Sequence, residues 1–186
     1  MQIILVRHTS VDVPKGTCYG QTDVPVRDSF EHEAELTRQS LEHLLPFDKV
    51  FSSPLTRARL LAAYCGYPDA EIDDRLLEMN MGEWEMQLYD EIQDPHLQEW
   101  YDDYIHQPTT GGESFLQQYQ RVAAFLDELK DKPYQRVAIF AHAGVLISAG
   151  IHGGLYSWEN AWENLADYGD YIIIESQNFV SLQKEK

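Results

Sequence analysis

The sequence predicts an α/β protein, a three-layer α/β/α arrangement with a mainly parallel sheet and an antiparallel edge. Three observations carry that prediction. Apolar runs stand at Ile3–Val6 and Val137–Ala141, with a shorter one inside Lys49–Ser52, the pattern of strands covered on both faces. Between them, apolar residues step by three and four, the pattern of helices with one buried stripe. Two of the runs break directly into a histidine, His8 behind Arg7 and His142 behind Ala141, and the ends of parallel strands are where such sheets bind ligands.

In chain order, the first strand is followed by a loop from Pro14 to Asp23, punctuated by Gly16, Gly20 and Pro25. Phe30, Ala34, Thr37, Leu41 and Leu44 mark the first helix, ended by Pro46. After Lys49–Ser52, Ser53-Pro54 has the form of an N-cap with proline at the first helical position; the helix it opens carries Arg57 in its first turn and runs to about Gly66. Ala70–Asp73 reads as a short strand. From Leu77 to about Gln107 the chain is acidic and aromatic, with one or two short helices broken by Pro95. Gly111-Gly112 reads as a turn and Ser114 as a cap for the amphipathic helix marked by Phe115, Tyr119, Val122 and Leu129. Ala143-Gly144 opens another helix, and Tyr171–Ile174 and Phe179–Leu182 read as strands joined by a turn at Gln177-Asn178. With no repeat, low-complexity tract or linker, a single domain over 1–186 is expected, with 79–110 inserted as a roof over the site.

A chain of 186 residues, 44% hydrophobic and 12% aromatic, buries a core without disulfides or metals and is not a disordered chain. Cys18 and Cys65 are too few for a disulfide scaffold and read as reduced thiols. No basic, apolar leader and no stretch of about 20 apolar residues is present, so a cytoplasmic protein is expected. A formal charge of −17, from 31 acidic and 14 basic residues, argues against nucleic acid or an anionic membrane as partner. No Lys or Arg occurs from Leu76 to Gln120, nor from Val137 to Gln183. Any bound anion must therefore be held by a few bases from elsewhere, helped by histidines and backbone amides.

His8 and His142 at two strand ends, Arg7 beside the first, and Arg57 at a helix start fall on one rim of a parallel sheet. The helices starting near Pro54 and Ala143 would point free N–H groups at the same rim. Such a set suits a phosphate dianion without metal. A metal site made of His8, His142 and Glu78 is the rival reading, but two neighbouring arginines would repel a cation; no metal and no cofactor is expected.

Leu5-Val6-Arg7-His8-Thr9, Phe51-Ser52-Ser53-Pro54-Leu55-Thr56-Arg57-Ala58-Arg59, Leu77-Glu78 through Gly82-Glu83-Trp84-Glu85, Gly111-Gly112-Glu113-Ser114 and Ala141-His142-Ala143-Gly144 resemble the successive motifs of the histidine phosphatase, or phosphoglycerate-mutase-like, superfamily. They stand in the family's order across about three quarters of the chain. The resemblance implies that His8 is the nucleophile, that Arg7, Arg57 and His142 hold the phosphoryl oxygens, with Thr9 and Ala143 beside them, and that Glu78 donates the proton. Glu83 and Glu85 compete with Glu78 for that last role. His32, His43, His96 and His106 read as surface residues; His152, beside Gly153-Gly154, either lines the pocket or ends a helix.

Arg-His-Thr, with Thr9 where the family usually has glycine, followed by the Cys18-Tyr19-Gly20 loop, is similar to the α-ribazole phosphatase branch, which implies α-ribazole 5′-phosphate as substrate. Against easy transfer, Arg27-Asp28-Ser29-Phe30 replaces the family's Leu-Thr…Gly entry to the first helix. A mutase needs cations to grip a carboxylate, and the two segments expected to roof the site have none. They offer Trp84, Tyr89, Trp100, Tyr101, Tyr104, Trp158 and Trp162 instead, which suits a flat, uncharged leaving group; Tyr19, Gly20 and Trp84 are the expected contacts. The expected function is metal-independent hydrolysis of a small-molecule phosphate ester by a monomer or homodimer. A broad-specificity sugar-phosphate or phosphoprotein phosphatase, a mutase and a non-catalytic phosphate-binding pseudoenzyme are the alternatives.

Overall fold

A computed structural model describes residues 1–180. Strand β1 (Gln2–Arg7) keeps Ile3, Ile4, Leu5 and Val6 completely from solvent. Successive strand residues face opposite ways, so Ile3 and Leu5 enter one core and Ile4 and Val6 the other. That double burial is why β1 is apolar without alternation. Strands β2 (Lys49–Ser52), β3 (Glu71–Ile72), β4 (Arg136–Ala141) and β5 (Tyr171–Glu175) complete a sheet of order β3-β2-β4-β1-β5. β4 runs parallel to both β1 and β2, β3 is parallel to β2, and β5 is antiparallel to β1.

Helices α1 (Phe30–Leu41) and α2 (Thr56–Tyr64) supply Ala34, Leu41, Leu61 and Ala62 to the core on one face. Beyond β3, the chain forms α3 (His96–Asp102), a short helix beginning just after Pro95. Helices α4 (Phe115–Leu129) and α5 (Ala143–His152) supply Val122, Leu126, Val145 and Leu146 to the opposite core. Ser114 closes a capping box on α4: its hydroxyl accepts from Gln117 N, and the Gln117 side chain accepts from Ser114 N, which satisfies two otherwise orphaned donors.

Two elements differ from expectation. The antiparallel edge is a pairing of β5 with β1, not a hairpin: Ser176–Asn178 turns as a 3₁₀ helix, and Val180 N donates to His152 O at 2.8 Å. Phe179 packs on the His152 ring, with centroids 4.7 Å apart, and burying that ring outcompetes strand pairing; residues 181 and 182 of the expected strand lie outside the described residues. Helix α2 starts at Thr56 rather than Pro54. The Ser53 hydroxyl accepts from Leu55 N, and Asp23, from the preceding loop, accepts from Thr56 N at 2.9 Å. The cap thus comes from a residue remote in sequence.

Candidate active site

The site grows from the register of two neighbouring strands. Arg7 pairs with Ala141, and the ladder runs one step further, His8 N donating to Ala141 O at 3.0 Å. The next residues, His8 and His142, are thereby brought side by side, their ring centroids 5.1 Å apart. His8 Nδ1 lies 2.7 Å from Thr9 O. A carbonyl only accepts, so Nδ1 carries the proton and the lone pair of the neutral ring sits on Nε2. Burial, reinforced by the Arg57 and Arg7 charges, pushes the His8 pKa from 6.5 down to about 3, so the ring is neutral at physiological pH. His142 is lowered in the same direction, first by burial and then by His8 and Arg57.

Arg57 is completely buried and held by backbone, one amino group donating to Thr22 O at 2.9 Å and the other to Gly20 O at 2.6 Å. Burial pulls its pKa down and the charge of Glu78 pulls it back, so guanidinium and carboxylate are electrostatic neighbours. Arg7 donates to Ala166 O at 2.6 Å and lies 4.0 Å over the Tyr168 ring. His142 Nε2 meets the Ser53 hydroxyl at 2.7 Å. Among the described residues, Arg7 Nε, Arg57 Nε, Thr9 Oγ1 and His142 Nδ1 are buried without a protein partner. Four such atoms gathered on the residues of one rim mark a polar site rather than packing.

Glu78 accepts from Met79 N at 2.9 Å and Gln118 Nε2 at 2.8 Å on one oxygen, and from Gly144 N at 3.2 Å on the other. The last bond ties the carboxylate to the N-terminus of α5. From Glu78, Ala143 and Gly144 a cavity of about 440 Å³ opens, walled by Tyr19, Met79, Met81, Tyr89, Trp100, Tyr101, Tyr104 and Trp162. Among the described residues, Glu78 is the sole charged one in its lining, and no Lys or Arg contributes to it.

One finding decides the family: residues 3–178 match the model of the histidine phosphatase superfamily, branch 1. The chain belongs to that superfamily. It is 30% identical over 152 residues to phosphoserine phosphatase 1 of Hydrogenobacter thermophilus, covering 76% of this chain and 71% of that one. It resembles the α-ribazole phosphatase structure from Shigella flexneri at a TM-score of 0.84 and 28% identity, covering 98% and 95% of the two chains. A phosphoglycerate mutase structure from Thermus thermophilus aligns at a TM-score of 0.73 and 27% identity, covering 94% and 93%. The superfamily resemblance read from the five motifs is thus met by the whole length of the fold.

Within this superfamily member, the structure gathers Arg7, His8, Arg57, His142 and Glu78 about one rim and places Tyr19 and Ala143 at the cavity. It places others elsewhere. Trp84 does not line the cavity: it is 1% exposed, donates from Nε1 to Asp94 and packs edge-on against Trp100, so it supports the wall from behind. Trp158 packs against Phe115 and Tyr119. Gly20 serves by its backbone, its N–H donating to Glu85 and its carbonyl accepting from Arg57. Glu85, a rival for the acid role, is instead a loop bracket that accepts from Gly20, Gln21, Thr22 and Met81 amides. Burial raises its pKa, but these hydrogen bonds outweigh it and hold the net shift downward. The N-terminus of α2 presents no free amide at Thr56, because Asp23 occupies it. His152 ends α5, buried beside Tyr119.

Several residues of the site gave no sequence signal strong enough to single them out. Tyr168 lies 5.6 Å from the His8 ring and hydrogen-bonds the Tyr19 hydroxyl at 3.0 Å. Arg121 donates to the carbonyls of Arg75, Leu77 and Glu78 and pairs with Glu113 at 2.6 Å, fixing the backbone from which Glu78 projects. Its signal was available: it is the first base after the base-free stretch ending at Gln120.

Proposed function

We propose that this protein is a metal-independent phosphomonoesterase that forms a phosphohistidine on His8, with α-ribazole 5′-phosphate as its leading substrate. The observation that carries the reading is the state of the His8 ring. A neutral imidazole whose Nδ1 donates to Thr9 O presents an unprotonated Nε2, which is what a nucleophile at phosphorus requires. The Nε2 lone pair attacks phosphorus, the ester P–O bond breaks, and the departing oxygen takes a proton from the Glu78 carboxylic acid. Arg7, Arg57 and His142 stabilise charge on the equatorial oxygens, the task a metal performs in other phosphoryl-transfer sites. Water then attacks the phosphohistidine, gives its proton to the Glu78 carboxylate, and the P–N bond electrons return to Nε2.

The choice of substrate rests on the cavity. An aromatic, methionine-lined space to which no described residue brings a cation accepts a flat, uncharged leaving group and suits a carboxylate, as in phosphoserine or 3-phosphoglycerate, poorly. The cavity is walled by part of 79–110, in keeping with a single domain in which that segment roofs the site.

Phosphate release is measured from α-ribazole 5′-phosphate, nucleoside monophosphates, phosphoserine, 3-phosphoglycerate and sugar phosphates, in excess chelator, with His8→Ala as control. A marked preference for the ribazole ester that vanishes in the variant supports both chemistry and substrate. Comparable rates on unrelated esters would keep the chemistry and refute the substrate; activity requiring a bisphosphate primer would point to a mutase, and a wild type inert on every ester to a phosphate-binding pseudoenzyme.

A further inference from the structure

Gln118, on α4, is fully buried beside Glu78. Its Nε2 donates to Glu78 Oε1 at 2.8 Å, while its own Oε1, equally buried, has no partner among the described residues. An unpaired buried acceptor is destabilising, and Met or Leu would fill the same volume without it. The other partners of Glu78 are the amides of Met79 and Gly144. All three partners are donors. They suit a carboxylate and leave a carboxylic acid without an acceptor for its O–H. The proposed cycle nevertheless needs Glu78 in both forms, acid when the alcohol departs and base when water attacks.

We propose that Gln118 is a positioning residue whose amide turns over with the protonation state of Glu78, presenting Nε2 to the carboxylate and Oε1 to the carboxylic acid. The proposal rests on the reading of Glu78 as proton donor. A half-turn about the terminal side-chain bond exchanges amide oxygen and nitrogen within one envelope, so neither form of Glu78 need shift. The space is set by Gly144: a Cβ there would stand 2.5 Å from Gln118 Oε1, 2.8 Å from its Nε2 and 2.5 Å from Glu78 Oε1. Only the missing side chain lets amide and carboxyl meet against the start of α5.

The test compares wild type with Gln118→Met, which keeps volume and deletes both functions of the amide, on two esters. An alkyl phosphate releases an alkoxide that must be protonated; 4-nitrophenyl phosphate releases a phenolate that leaves without a proton. The expected result is a fall of roughly 10- to 100-fold in kcat on the alkyl ester with KM unchanged. On the aryl ester, a stoichiometric burst of nitrophenolate precedes a slow steady state, because hydrolysis of the phosphohistidine still needs Glu78 as base. Gln118→Asn, polar but a methylene too short to reach, should give the same split between esters if the methionine disturbs folding. An equal loss on both esters in the rate of the first turnover, a change in KM alone, or no change would overturn the proposal and leave Gln118 a packing residue. Absence of an acid-labile phosphoenzyme in the wild type, or turnover surviving in His8→Ala, would instead refute the phosphohistidine reading itself.

Discussion

At the phosphoryl end of the site, His8, Arg57 and His142 are each no more than 2% exposed and hang from two adjacent strand ends and the first turn of a helix. At the proposed leaving-group end, the cavity wall includes residues of 3₁₀ turns at Tyr89–Glu91 and Ala161–Asn164 and of the two-turn α3, with Tyr101 50% and Trp162 39% exposed. One end is polar, buried and built on regular backbone; the other is apolar and built largely on irregular backbone. Under the proposed function, the division separates the part of the molecule that would carry the reaction from the part that would choose the substrate. Reacting atoms need placement to a fraction of an ångström, whereas stacking on a ring tolerates a slide.

Substitutions on the two sides should therefore fail differently. The largest effect is expected from His8→Ala, which removes the proposed nucleophile: turnover on every ester falls to the uncatalysed level, and residual activity with any ester would break the division. Next, Arg57→Ala should lower kcat by roughly 10²- to 10³-fold, by analogy with loss of one oxyanion donor. The loss should be uniform across esters, since the guanidinium acts on the phosphoryl group they share. A ratio that varied with the leaving group would place Arg57 on the wrong side.

A pH experiment separates the ends further. The His8 ring should stay neutral, by its NMR shifts, from pH 8 to about pH 4, because its pKa lies at about 3; titration near 6.5 would remove the basis for a preorganised nucleophile. His8 and His142 are both lowered, so the unfolded chain binds protons that the folded chain refuses. Their contribution to stability is fully present above about pH 6.5, the ordinary histidine value, and is lost as pH falls toward 3, which urea unfolding at pH 5 and pH 7.5 should register as a lower midpoint at pH 5.

At the apolar end, Trp162→Ala should raise KM for aromatic esters by about 2- to 12-fold, the equivalent of about 0.5–1.5 kcal/mol of ring contact, and leave glycerol phosphate unaffected. An equal change for both would mean that Trp162 supports the fold and not the substrate. The smallest effect concerns the scaffold beneath Arg57: Asp23→Ala removes the cap of α2 at Thr56 and should cost about 1 kcal/mol, a drop of roughly 2–4 °C in Tm.

The division also explains what the sequence revealed. β1 and β4 were legible because strands buried on both faces are apolar without interruption, and His8 and His142 because a charged or titratable group directly after such a run has no packing explanation. Two-residue β3, both of whose residues are exposed, left only a faint trace. Trp84 was legible as an aromatic but not as a buried one, since its place depends on Asp94 and Trp100. Asp23, Glu85, Gln118 and Tyr168 act on segments distant in sequence, through backbone amides, a carboxylate and ring faces that no local spacing encodes. The antiparallel edge was read correctly at β5, but the strand expected from Phe179 was not, because Phe179 alternates like a strand residue while its ring is held on His152.

The sheet order has a consequence for how the molecule comes into being. β1 is emitted first by a ribosome, yet both of its hydrogen-bonded neighbours, β4 and β5, come from beyond residue 135. During synthesis a strand with four consecutive apolar residues therefore waits, unpaired, for most of the chain, a natural client for holding factors that shield sticky segments. His8, the proposed nucleophile just past the last residue of that strand, cannot meet His142 until the wait ends, so a nascent or truncated chain cannot carry out the proposed reaction before its fold is closed.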